Sequence, residues 1–138
     1  MNPTRLLMSA SALVLGLLGG AATFAPGELL LTLGTPASPV LQLLVQILGA
    51  LYLGFAGLNW MLRASLIGGI YNRPVVIGNL VHFLSAGLAI VKLLVHTPSE
   101  PVLWPLALLY AAGAAGFGIV LFRHPVPATS PTAHPSRA

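Results

Sequence analysis

The stretch Asn59-Trp60-Met61-Leu62-Arg63-Ala64-Ser65-Leu66-Ile67-Gly68-Gly69-Ile70-Tyr71-Asn72-Arg73-Pro74-Val75-Val76-Ile77-Gly78-Asn79-Leu80-Val81-His82-Phe83 decides the fold. It joins two long apolar segments and gathers most of the polar side chains they carry. Glycine tolerates the positive φ that ends a helix, and proline is pre-set for a first helical turn. Gly68-Gly69 followed by Asn72-Arg73-Pro74 therefore predicts a tight turn between antiparallel helices, with Asn72 or Arg73 as the cap of the second. The stretch reads as a membrane hairpin.

Upstream, the apolar character reaches back to Ser38-Pro39, a serine N-cap with proline at the first helical position, which predicts a helix over 39–67. At about 1.5 Å per residue this helix outruns a hydrocarbon core of about 30 Å and must tilt or project. Downstream, a helix over 74–96 ends before the turn Pro98-Ser99-Glu100-Pro101. A last helix over 101–122 is crowded with Ala111, Ala112, Gly113, Ala114, Ala115, Gly116 and Gly118.

At the front of the chain, the apolar run 6–24 is long enough to span. Its Ala12, Gly16 and Gly20 recur at four-residue spacing, a small-residue face on which another helix can pack closely. Met1 to Arg5 and Gly20-Ala21-Ala22 also resemble a signal peptide cleaved near residue 22. The apolar run exceeds a usual signal core, and we read it as a retained helix. The segment Pro26 to Pro36 holds an apolar patch too short to cross and predicts an interfacial hook or short helix. After Arg123, Pro125, Pro127, Pro131 and Pro135 stand among Ser, Thr and Ala, a composition that predicts a disordered tail.

Composition agrees with this pattern. Of 138 residues, 57% are hydrophobic and only 6% charged, with a mean hydropathy of +0.93, whereas soluble domains carry about 25% charged residues. A chain this short lacks the interior to hide so much apolar surface from water, and lipid is the remaining solvent. The expected fold is all-α: a four-transmembrane-helix up-down bundle over 1–123 and a disordered, Pro-rich cytoplasmic tail over 124–138. Arg5, Arg63, Arg73, Arg123 and Arg137 fall on one side of such a bundle, against Lys92, Glu28 and Glu100 on the other. The positive-inside rule then places both termini in the cytoplasm. The preference for Arg over Lys, with abundant Ala, Gly and Pro, hints at a high-GC bacterial genome, and the expected location is the inner membrane. A net charge of +4 without a clustered basic face is no nucleic-acid footprint. The absence of cysteine excludes disulfides, thiolate chemistry and cysteine-held metals.

Two runs, Thr23-Phe24-Ala25-Pro26-Gly27-Glu28-Leu29-Leu30 and Leu48-Gly49-Ala50-Leu51-Tyr52-Leu53-Gly54-Phe55-Ala56-Gly57-Leu58, resemble the DoxX-like class of small bacterial four-helix membrane proteins. The likeness covers nearly all of the chain as architecture. It implies a bilayer-embedded bundle of unknown activity.

Polar side chains at bilayer depth mark helix contacts or functional cavities. Gln42, Gln46, Gly49, Ala56, Trp60 and Arg63 share one face of the second helix with Asn59 beside it, and Asn79, His82 and Ser85 share a face of the third. Depth counted from the turn pairs Asn59 with His82 and Arg63 with Asn79. The candidate cluster is thus Asn59, Trp60, Arg63, Asn79 and His82, with Tyr71 and Arg73 as candidate lipid-headgroup contacts.

This cluster has two readings. In one, the asparagines and His82 hydrogen-bond between helices and Arg63 snorkels to the headgroups. In the other, they line a pocket for a lipid headgroup or quinone, walled by Trp60. His82 and His96 stand fourteen apart, as haem ligands do, but no other membrane segment supplies a histidine, so no cofactor and no metal is expected. For catalysis only His82 with Ser85, Tyr52 or Arg63 could be drafted, and no carboxylate orients the histidine, so no catalytic residue is assigned and no enzyme is expected. The leading expectation is a non-enzymatic accessory or scaffold protein. Its partners would be membrane lipids and a second copy or another membrane protein docked on the Gly/Ala faces. The alternative is a lipid or quinone binder, and an oligomeric transporter ranks below both.

Overall fold

In the computed structural model, which describes residues 3–64 and 73–123, the chain forms five helices and no strand among the described residues. They are α1 (Pro3–Phe24), α2 (Pro26–Thr32), α3 (Pro39–Leu62), α4 (Arg73–His96) and α5 (Leu103–Arg123). All but α2 are long and apolar enough to cross a membrane. The chain is therefore compatible with a small membrane protein of four spans.

Helix boundaries follow local chemistry. Ser38 caps α3 as its spelling predicts, its hydroxyl accepting from the Leu41 amide at 3.3 Å with Pro39 in the first turn. The interfacial segment folds as α2, seven residues long, with Pro26 at its start and Glu28 in the first turn, where a carboxylate suits the helix dipole. It stops at Gly34, whose φ of 68° lets the amides of Gly34 and Thr35 turn back onto the carbonyls of Leu31 and Leu30. That is a Schellman stop. The regular helix of α3 gives way to turn residues 63–64, and the expected extension to Ile67 lies outside the described residues, as do Tyr71 and the tail 124–138. At the other end, Pro101 and Val102 belong to the turn after α4, which closes through the Leu103 amide on the Glu100 carbonyl, so α5 starts two residues later than expected.

Two helix pairs make up the body: α1 packs along α3, and α4 along α5. Within the first pair the contacts Ser11–Asn59, Gly16–Ala56 and Gly19–Gly49 run in opposite directions along the two helices. The face α1 uses is Met8, Ala12, Leu15, Gly19 and Ala22, the 3.6-residue period, and Gly20 of the expected four-residue series meets nothing within 4 Å. A strict four-residue step drifts off a helical face by about 40° each time, since each residue advances about 100°. Gly19 and Gly49 bring the backbones together. A Cβ on Gly49 would lie 2.7 Å from the Thr23 nitrogen and 2.9 Å from the Gly19 carbonyl oxygen, a contact of the kind small residues permit between membrane helices.

Few close backbone contacts link the two pairs, and large side chains fill the space instead. Met8, Leu15, Val76, Phe83, Tyr110 and Phe117 form the buried core, with Tyr52, Phe55 and Leu80 packed against it. Outward, Leu13, Leu17, Leu51, Leu88, Val95 and Leu108 are each more than half exposed, while Asn59 and Asn79 are 0% exposed. Apolar outside and hydrogen-bonded polar inside is the arrangement that lipid as solvent selects.

Candidate functional site

The sequence brings Asn59 near the end of α3 and Asn79 two turns into α4. Their amides face each other and exchange hydrogen bonds: Asn59 Nδ2 donates to Asn79 Oδ1 at 2.8 Å, and Asn79 Nδ2 donates to Asn59 Oδ1 at 2.7 Å. The second proton of Asn59 goes to Ser11 Oγ at 3.1 Å, and that of Asn79 to the Val75 carbonyl at 2.9 Å. Ser11 in turn donates to the Met8 carbonyl at 3.0 Å. Every amide donor of the pair is used, which is what full burial requires. Three helices, α1, α3 and α4, are tied at one point.

The other members of the expected cluster lie elsewhere. The partner of Asn59 is Asn79 rather than His82, a displacement of three residues, close to one helical turn. Depth counted from the turn sets Asn59 level with His82, whereas the observed register of α3 against α4 brings it level with the shallower asparagine. Arg63 does not pair with Asn79. Its guanidinium lies over the exposed Trp60 ring, Cζ 3.5 Å from the ring centroid, and Nη1 donates to the Trp60 carbonyl. Arg73 opens α4 and is exposed. The single polar cluster expected of Asn59, Arg63, Asn79 and His82 is thus three separate arrangements.

His82 sits deeper, in an aromatic box. Its ring stacks on Phe55 at 5.3 Å and meets Tyr52, Phe83 and Tyr110 at 5.2, 5.2 and 5.7 Å. The hydroxyls of Tyr52 and Tyr110 share a 2.6 Å hydrogen bond across the two helix pairs. One of the two hydroxyl protons makes that bond, which leaves the other unused within the pair. His82 Nε2 is buried without a hydrogen-bond partner. The box thus sets one unpartnered imidazole nitrogen beside one shared phenolic hydrogen bond in apolar surroundings. It has no carboxylate. No group of three His, Cys, Asp or Glu side chains that could hold a metal occurs among the described residues.

Sequence reasoning passed over Ser11, Phe83 and Tyr110, and drafted Tyr52 only as a partner for catalysis. The available signal was two tyrosines in the middle of apolar helices, whose hydroxyls each need a partner in lipid. Of the two glutamines on α3, Gln46 reaches another helix, its Nε2 donating to the Thr23 carbonyl of α1 at 3.5 Å, while Gln42 Nε2 donates locally to the Ala37 carbonyl at 3.3 Å. Trp104 anchors the turn after α4 through its indole N–H on the Pro98 carbonyl at 3.3 Å. Set beside known proteins, the chain matches no protein-family model, no curated protein and no solved structure.

Proposed function

We propose that the protein is a non-enzymatic accessory or scaffold subunit of the bacterial inner membrane. Its four long helices cross up and down with both termini in the cytoplasm, in keeping with its DoxX-like resemblance. One observation carries this reading: the buried polar set Ser11, Asn59 and Asn79 spends its hydrogen bonds on itself and on helix carbonyls. A ligand site would keep a donor turned to a cavity; this set holds helices together. The orientation is supported by Arg5, Arg63 and Arg73 lying toward one end of the helix pairs, with Glu28 and Glu100 toward the other.

A second reading, binding of a small carbonyl compound such as a quinone, is favoured by the unpartnered His82 Nε2 beside the tyrosine pair. Native mass and absorption spectra of gently extracted protein separate the two. A second copy or another protein with bulk lipid alone is the expected result, and His82→Leu should leave that assembly standing. A stoichiometric quinone or chromophore, lost in His82→Leu, would overturn the scaffold reading.

A further inference from the structure

The outer face of the α1–α3 pair carries a groove over the Gly16–Ala56 contact. Ala12, Gly16, Ala56 and Gly57 form its floor and Leu13, Leu17 and Trp60 its walls, around an apolar space of about 400 Å³. A Cβ on Gly57 would meet nothing within 4 Å. Glycine weakens a helix interior, and here no neighbour within the chain needs the missing methyl. The space is free for a group from outside.

One end of the groove is cationic. Arg63 is held flat on the Trp60 wall by the ring contact and by its bond to the Trp60 carbonyl. Arg5 lies toward the same end of α1, two turns before Ala12 and on the same helical face. Both acidic side chains of the sequence belong to the opposite end: Glu28 precedes α3, and Glu100 follows α4. An open apolar slot ending at arginines complements an acyl chain that carries a phosphate.

We propose that this groove binds one anionic phospholipid, an acyl chain lying over Gly57, Ala56 and Gly16 and the phosphate held by Arg63 with Arg5. A helix of a second copy fits less well. It is about 10–12 Å across with its side chains and needs a flat small-residue face, whereas Leu13, Leu17 and Trp60 stand more than half exposed beside the floor. A tryptophan bearing a cation also suits headgroup depth. The inference rests on the membrane-spanning reading but not on the scaffold role.

Native mass spectrometry of the full chain in neutral detergent, given phosphatidylglycerol or phosphatidylcholine, tests it. One phosphatidylglycerol should be retained under conditions that strip phosphatidylcholine. Arg63→Gln should weaken retention about fivefold, the equivalent of about 1 kcal/mol for one arginine near an anionic surface. Gly57→Leu should abolish it by filling the slot. Gly54→Leu, equally open on α3 but outside the groove, should retain the lipid. Melting temperatures in lipid-free detergent no lower than that of the wild type would show that all three variants fold. Retention by Gly57→Leu equal to that by Gly54→Leu, or equal retention of both lipids, would overturn the proposal. So would a wild-type dimer lost in Gly57→Leu regardless of lipid, which would assign the groove to a second copy. Release of the wild-type chain from membranes by alkaline carbonate would instead sink the membrane reading itself.

Discussion

At the scale of single residues, the reciprocal asparagine pair is where the chain commits polar atoms to its interior. Asn79→Leu removes one partner and strands a carboxamide that is 0% exposed, at an expected cost of about 1–3 kcal/mol. The double variant Asn59→Leu with Asn79→Leu strands nothing on either side and should cost less than the sum of the singles. Unfolding in detergent should give a coupling of about 0.6–1.7 kcal/mol, the range for hydrogen bonds between membrane helices. Strictly additive singles would mean that the two amides do not act as a pair. The tyrosines follow the same logic with a shared hydroxyl bond. Tyr52→Phe and Tyr110→Phe should each lose about 1 kcal/mol, and the double variant should be little worse than either, because each loses the same bond.

Among elements, two kinds of glycine separate along α3. Gly49 is pressed against α1, so the methyl of Gly49→Ala would meet backbone atoms of Thr23 and Gly19 that cannot yield without moving the helix. Overpacking of this kind should cost about 1–3 kcal/mol. Gly54 meets nothing within 4 Å, and Gly54→Ala should gain up to about 1 kcal/mol from helix propensity alone. Thermal melts of the two variants should therefore move in opposite directions. Equal shifts would mean that α1 and α3 do not approach at Gly49. On α5, Gly113 plays the first role, since a Cβ there would lie 2.5 Å from the Phe83 ring. The small residues crowded into this helix thus serve the aromatic core as well as the helix contact.

For the whole molecule, the central question is which way the pairs face in the bilayer. The chain has no cysteine of its own, so single introduced thiols report sidedness cleanly. In intact cells, Ser99→Cys should react with an impermeant maleimide from outside, and Tyr71→Cys only after the cytoplasmic face is opened. Labelling of Tyr71→Cys from outside would invert the proposed orientation. The two helix pairs also predict a mode of failure. Their interface rests on side chains such as Tyr52, Phe55, His82 and Tyr110 rather than on close backbone contact. Loss of those rings should loosen the pairs from each other before it unwinds either pair.

The sequence by itself determined the apolar character of the chain and its elements. Composition marks apolar runs long enough to cross a membrane, and Ser38-Pro39 announces the start of α3 because capping is a local hydrogen bond. It also singled out Asn59 and Asn79, since a carboxamide at bilayer depth must find a partner. Which partner it finds is a matter of register and rotation. Contact at Gly19 and Gly49 sets how α1 and α3 meet. A shift of one turn joins Asn59 to Asn79, places His82 among aromatic rings and leaves Arg63 on the outer face. Only tertiary structure decides this, because side chains many residues apart fix the register together and no local spacing encodes it.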